Sequence, residues 1–235
     1  MLEAVDLTKR YEDGKLALDG LNLLIGKGEL FCLLGANGAG KTTTINLFLN
    51  FIEPTAGRAL INGIDVTQSP IEAKKYVSYV AENVMLYGYF SARQNLEFFA
   101  DLAGLKHLRK DDYYRAMTKA GLEPDAFEQR VKKFSKGMRQ KLGICIAIIK
   151  DAPAILLDEP TSGLDPKSAA EFMALLCALR DEGRAILMST HDIFRAREYA
   201  DRIGIMKQGK LLDTLGRAQL EDRNLQQIYL EYMSA

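Results

Sequence analysis

The segment ELFCLLGANGAGKTTT, residues 29–44, restricts the fold more than any other part of the chain. A short continuous apolar run suits a strand buried on both faces. Here the run ends on Gly35 and passes through GANGAGKT (35–42) into a helix-forming stretch. That string matches G-x-x-x-x-G-K-[ST], with a strand before it and a helix after it, as a phosphate-binding loop requires. Small residues at Gly35, Gly38, Ala39 and Gly40, around Asn37, let the backbone bend tightly and aim its N–H groups inward, and the helix N-terminus adds partial positive charge. Lys41 is then placed to reach the β- and γ-phosphates of a nucleoside triphosphate, and Thr42, followed by Thr43, to ligate Mg²⁺. The alternative, a glycine-rich turn with an incidental lysine, is disfavoured by the strand and helix on either side.

Two further apolar runs, AILLDEP (154–160) and AILMSTH (185–191), repeat the buried-strand form. Helical segments lie at TTTINLFLN (42–50) and SAAEFMALLCALRDEG (168–183), the second ending on a glycine suited to a helix C-cap. Strand alternating with helix predicts a parallel sheet with crossover helices. Residues 2–7, 16–25 and 58–66 have strand-like composition broken by Gly and Asp, as in a small antiparallel sheet. Residues from about 85 to 150 are rich in helix formers and read as a helical subdomain inserted in the α/β core. With no internal repeat and no low-complexity linker, residues 1–235 are expected to form one unit.

The ends of the two apolar runs carry acid and imidazole groups. In a parallel sheet ligands bind at the carboxyl edge, so Asp158 is placed to hold Mg²⁺ and Glu159 to orient or deprotonate an attacking water. Adjacent acids at a strand end also occur as solvated edge residues. His191, one of two histidines in the chain, is either a hydrogen-bonded structural histidine or a γ-phosphate contact. Ser135 and Gly137, in KFSKGMRQKL (133–142), are compatible with an ordinary helix start.

Composition removes several classes. Lys plus Arg and Asp plus Glu are equal at 31 each, so no overall positive field recommends nucleic acid as a partner. The three cysteines, Cys32, Cys145 and Cys177, have no CxxC spacing and read as buried structural thiols in a reducing compartment. No stretch approaches the roughly 18 apolar residues of a membrane span, and the start MLEAVDLTKR lacks the form of a signal peptide, so the chain is expected to be soluble by itself.

The phosphate loop, a Ser-x-Gly turn before a helix, then DEP, GLD and STH in that order resemble the nucleotide-binding domain of ATP-binding cassette (ABC) proteins over nearly the whole chain. The resemblance implies an α/β P-loop NTPase with a RecA-like parallel-sheet core, a small antiparallel β subdomain and an inserted α-helical subdomain. It implies ATP and Mg²⁺ as ligands, ATP hydrolysis with Glu159, His191 and Lys41 as catalytic groups, and a head-to-tail dimer of two like or similar domains. In that dimer Ser135 and the Gly137 backbone would contact the γ-phosphate held by the other copy, and Asp165 would lie on the seam. Tyr11 matches the aromatic that stacks on adenine, a core or surface tyrosine being the alternative.

The sequence departs from the family at two places. The usual Leu-Ser-Gly-Gly-Gln appears as Phe134, Ser135, Lys136, Gly137, Met138, and the Gln that senses Mg²⁺ and water is replaced by Glu82. A carboxylate at Glu82 can approach Mg²⁺, though it accepts without donating; a solvated loop glutamate is the alternative. SKGMRQKL, YVAENVMLYGYFSARQNLEFFA and the tail NLQQIYLEYM (224–233) resemble the branch serving bacterial exporters of drugs, antimicrobial peptides, polysaccharides and sodium. A separate transmembrane permease is then implied, with the chain on the cytoplasmic face of the membrane. Contact is expected near residues 82–100 through Tyr87, Tyr89, Phe90, Phe98 and Phe99, of which Phe98 and Phe99 also read as subdomain core. A DNA-maintenance ATPase would need long heptad coiled coils, and a translation-associated cassette protein a second phosphate loop; neither is present. An importer ATPase and a regulatory cassette remain as alternatives.

Overall fold

In a computed structural model, residues 1–222 and 225–234 are described, with the side chains of Glu221, Asp222 and Ser234 excepted. The chain opens with strands β1 (Leu2–Arg10), β2 (Leu16–Ile25) and β3 (Leu30–Leu34), followed by helix α1 (Lys41–Phe48). Next come β4 (Ala56–Ile61), β5 (Ile64–Asp65), α2 (Pro70–Lys75) and β6 (Val77–Val80). Three helices follow, α3 (Ala92–Leu102), α4 (Lys110–Lys119) and α5 (Lys136–Ile149). The chain continues through β7 (Ala154–Asp158), α6 (Pro166–Asp181), β8 (Ala185–Thr190) and α7 (Ile193–Tyr199). It closes with β9 (Arg202–Lys207), β10 (Lys210–Gly216), α8 (Arg217–Asp222) and α9 (Leu225–Ser234).

The order β10-β9-β3-β8-β7-β6 forms one sheet, parallel except for the β9/β10 pair, and β2-β1-β4-β5 forms a second, antiparallel one. This is the α/β arrangement expected from the sequence. Every residue of β3, β7 and β8 is buried, as their unbroken apolar runs require. Alternation along β3 feeds two cores: Leu30, Cys32 and Leu34 join the core shared with α3 to α6, while Phe31 and Leu33 join the one shared with α1 and the antiparallel sheet.

The stretch read as one strand at 58–66 is two short strands hinged at Asn62-Gly63, both at positive φ. The strands β6, β9 and β10 were not legible as sequence runs; β6 has only four residues, and β9 is interrupted by Gly204. Cys32 and Cys145 are fully buried, whereas Cys177 is only partly so, a correction to the expectation of three buried thiols. Of the tail read at 224–233, Asn224 lies outside the described residues; the rest forms α9, which packs on α7 and β9.

Arg184 ties the end of α5 to the sheet. Its nearly buried guanidinium donates to Ala152 O at 2.8 Å and Ala147 O at 3.3 Å, and pairs with Asp151 at 3.1 Å. Arg184→Met is expected to leave these carbonyls short of a donor and to cost about 1–3 kcal/mol, read as a lower urea midpoint at unchanged slope.

Candidate nucleotide-binding site

The carboxyl ends of β3, β7 and β8 lie side by side because the strands are parallel and in register, with Leu34 opposite Thr190 and Asp158 opposite Ser189. Whatever follows each strand therefore meets at one edge. After β3 comes the glycine-rich loop and the start of α1; after β7, Glu159; after β8, His191. Tyr11, Lys15, Ala17, residues 36–43, Glu82, Asp158 and Glu159 line a cleft of about 510 Å³ there.

Two glycines of the loop are required sterically. A Cβ on Gly35 would sit 2.5 Å from Met206 O, and one on Gly40, which caps α1 at φ 110°, would sit 2.8 Å from Ala17 O. The loop packs directly on β9 and β2, and is held from outside by the bond from Gly209 N to Ala39 O at 2.9 Å. The N-terminus of α1 opens into the cleft with no side-chain cap, so its first N–H groups are available to an anion.

Charges inside the site are paired. The buried Lys41 ammonium donates to Gly35 O at 2.6 Å and to Ala36 O at 3.3 Å, and lies 3.3 Å from Glu159 Oε1. That last contact lies outside hydrogen-bond geometry, leaving Glu159 Oε1 buried without a hydrogen bond. The other carboxylate oxygen, Oε2, lies 2.9 Å from His191 Nδ1, while the imidazole itself is largely exposed. Thr42 Oγ1 donates to Asp158 Oδ1 at 3.2 Å. Asp158 and Thr42 thus present adjacent hard oxygen donors, the chemistry suited to Mg²⁺. Glu159 holds φ 45°, a strained left-handed conformation for a residue with a side chain.

Ser189 completes this arrangement. Its buried hydroxyl donates to Asp158 Oδ1 at 2.5 Å and accepts from Glu159 N at 2.9 Å, so one side chain fixes both acids. It was visible in the sequence only as a polar residue closing an apolar run, two places before the more conspicuous His191.

Of the residues singled out from the sequence, Tyr11, Asn37, Gly38, Ala39, Gly40, Lys41, Thr42, Thr43, Glu82, Asp158 and Glu159 line the cleft. Gly35 and His191 touch it through Lys41 and Glu159. Ser135 and Gly137 do not: they line a separate surface cleft together with Ser168, Lys167 and Glu171. Ser135 is exposed and accepts from Met138 N at 3.2 Å, so within one copy it caps α5. Asp165 caps α6, and the hydrogen bonds from the Ser168 hydroxyl and backbone hold its carboxyl below the usual range.

Ser189→Ala is expected to leave the Glu159 N–H without its partner and to free Asp158, costing about 1–3 kcal/mol of stability. Ser189→Thr keeps the hydroxyl, and recovery of the unfolding midpoint in that variant distinguishes the lost bonds from lost volume.

Comparison with known proteins agrees with this geometry. The family model described as ABC transporter matches residues 18–162. The chain is 35% identical over 213 residues, 90% of its length, to the probable multidrug ABC transporter ATP-binding protein YbhF of Escherichia coli, but spans only 36% of that protein. It is 34% identical over 99% of its length to the bacitracin transport ATP-binding protein BcrA of Bacillus licheniformis, covering 74% of it. Among solved structures, an ATP-binding subunit of an ABC transporter superposes with a TM-score of 0.85 at 29% identity, covering 98% of both chains. A dimeric ATP-binding cassette in a post-hydrolysis state with ADP and Pi superposes at 0.83 with 27% identity, covering 92% of this chain and 99% of that one. A phosphate loop, paired acids and a histidine on one parallel-sheet edge, together with these matches, make the chain a member of the ABC transporter ATP-binding family.

Proposed function

We propose that the chain binds and hydrolyses ATP and drives a separate transmembrane permease, in an exporter. The observation that carries this reading is the convergence of Lys41, Thr42, Asp158, Glu159 and His191 on one cleft edge. The N–H groups of residues 38–43 and the Lys41 ammonium receive the β- and γ-phosphates, and Tyr11 at the mouth offers a ring for adenine. Thr42 and Asp158, with Glu82 at the rim, would hold Mg²⁺, which when bound neutralises phosphate charge. Glu159 accepts a proton from water as its oxygen attacks the γ-phosphorus; the bond from that phosphorus to the bridging oxygen breaks, giving ADP and phosphate. His191, with Nδ1 2.9 Å from Glu159 Oε2, would orient this base and contact the γ-phosphate.

A second copy, or a similar subunit, supplies Ser135 and the Gly137 N–H from across the seam. The solved dimeric relative supports this, as does the exposure of Ser135 away from its own cleft. Residues 85–150 act as the helical unit carrying this surface. A permease would dock at the exposed Met85, Tyr87, Tyr89 and Phe90; Tyr87 stacks on Phe90 and Phe98, which with Phe99 is half-buried behind it. Among the described residues no helix is long and apolar enough to cross a membrane, so attachment to the cytoplasmic face would run through that partner. The names of the multidrug and bacitracin relatives support export.

Glu159→Gln is expected to retain ATP binding and to lower turnover by about 10²-fold or more, whereas Lys41→Ala loses nucleotide affinity. Wild-type turnover in the first, or wild-type affinity in the second, removes the assigned role. In the Glu159→Gln background ATP is expected to produce a dimer, seen by light scattering, and adding Ser135→Asp to abolish it by like-charge repulsion against the γ-phosphate. Because Asp caps a helix as well as Ser, an undiminished dimer would reduce Ser135 to its capping role.

A further inference from the structure

Two residues of α5 grip one point on the rim of the nucleotide cleft. Gln140, fully buried, donates from Nε2 to Glu82 O at 2.7 Å and to Ala81 O at 3.2 Å. Four residues earlier, on the same face of the helix, the Lys136 ammonium lies 3.9 Å from Glu82 Oε1. Gln140 thus anchors the backbone of residue 82 while Lys136 attracts its side chain. Glu82 lines the cleft with Thr42, Asp158 and Glu159, so what holds its carboxylate bears on the cation-binding edge. Lys136 also reaches the segment after β7: a Cβ on Gly163 would meet its Nζ at 3.5 Å.

Lys136 and Glu82, moreover, both depart from the pattern of the family, alongside Phe134 and Met138. An uncharged Gly and Gln are replaced by an ammonium and a carboxylate that face each other. Both side chains are partly exposed, at 34% and 47%, so the pair adds little to stability; its consequence is where it holds the carboxylate.

We propose that Lys136 is a positioning residue for Glu82, competing with the cleft's divalent cation for the same carboxylate and so linking the first turn of α5 to metal binding. This rests on the reading that the cleft holds Mg²⁺ and ATP. Loss of the ammonium frees the carboxylate, and a freed carboxylate favours Mg²⁺ binding.

The test is a double-mutant cycle of Lys136→Met and Glu82→Gln in the full chain, with Lys136→Arg as the charge-conserving control. Lys136→Met is expected to lower the free Mg²⁺ giving half-maximal ATP turnover by about threefold, Lys136→Arg to restore the parental value, and the shift to vanish in the Glu82→Gln background. Without nucleotide, Lys136→Met is expected to lower the melting midpoint by about 1–2 °C only where Glu82 is present. An unchanged Mg²⁺ dependence, or a shift of equal size in the Glu82→Gln background, overturns the proposal. A parent protein without Mg²⁺-dependent turnover overturns the nucleotide reading instead, and additivity of the melting midpoints then overturns the ion pair independently.

Discussion

Burial of Leu30–Leu34 on both faces is the constraint from which the rest of the molecule follows. A strand with no solvent-facing side must have neighbours on both edges and layers on both sides. β8 and β9 supply the edges, and the two hydrophobic cores supply the layers. Parallel pairing then brings the strands' carboxyl ends to a common line, which is why residues as distant in the chain as Lys41, Asp158 and His191 meet. The site is a consequence of strand direction before it is one of side-chain chemistry.

What the edge assembles is a set of charges that stabilise one another. A buried ammonium and two largely buried carboxylates are costly unless paired and hydrogen-bonded. Lys41 is satisfied by two loop carbonyls and by the neighbouring Glu159, Asp158 by Thr42 and Ser189, and Glu159 by His191. The unmatched element is Glu159 Oε1, buried without a hydrogen bond on a residue in a strained backbone conformation. Backbone strain and an acceptor without a hydrogen bond thus fall on the same residue.

The second cleft, at the start of α5, reconciles two readings of Ser135. Its hydroxyl closes the helix by accepting from Met138 N, and the residue is exposed. A capping serine at an exposed helix N-terminus presents N–H groups and partial positive charge outward. The cap uses a lone pair of the hydroxyl oxygen and leaves its proton unused, so capping does not exclude an anion contact. Gln140, deeper on the same helix, fastens α5 to the rim of the nucleotide cleft.

The sequence by itself determined the phosphate loop, the three buried strands, the alternation with helices and the identities of Lys41, Thr42, Asp158, Glu159 and His191. These were legible because a continuous apolar run ending on a glycine or an acid has few structural solutions. It left β6, β9 and β10 unread, because a four-residue strand and a glycine-broken one carry too little periodicity, and their places are set by pairing with distant partners. Ser189 and Gln140 were equally silent: a serine closing an apolar run and a glutamine within a helix are ordinary residues until the fold puts Asp158 beside one and Glu82 beside the other. Only the tertiary structure decided which face of α5 meets residue 82 and that Ser135 turns away from its own cleft, because those facts depend on how helices pack across the sheet, and contacts between segments far apart in the chain leave no local pattern in a single sequence.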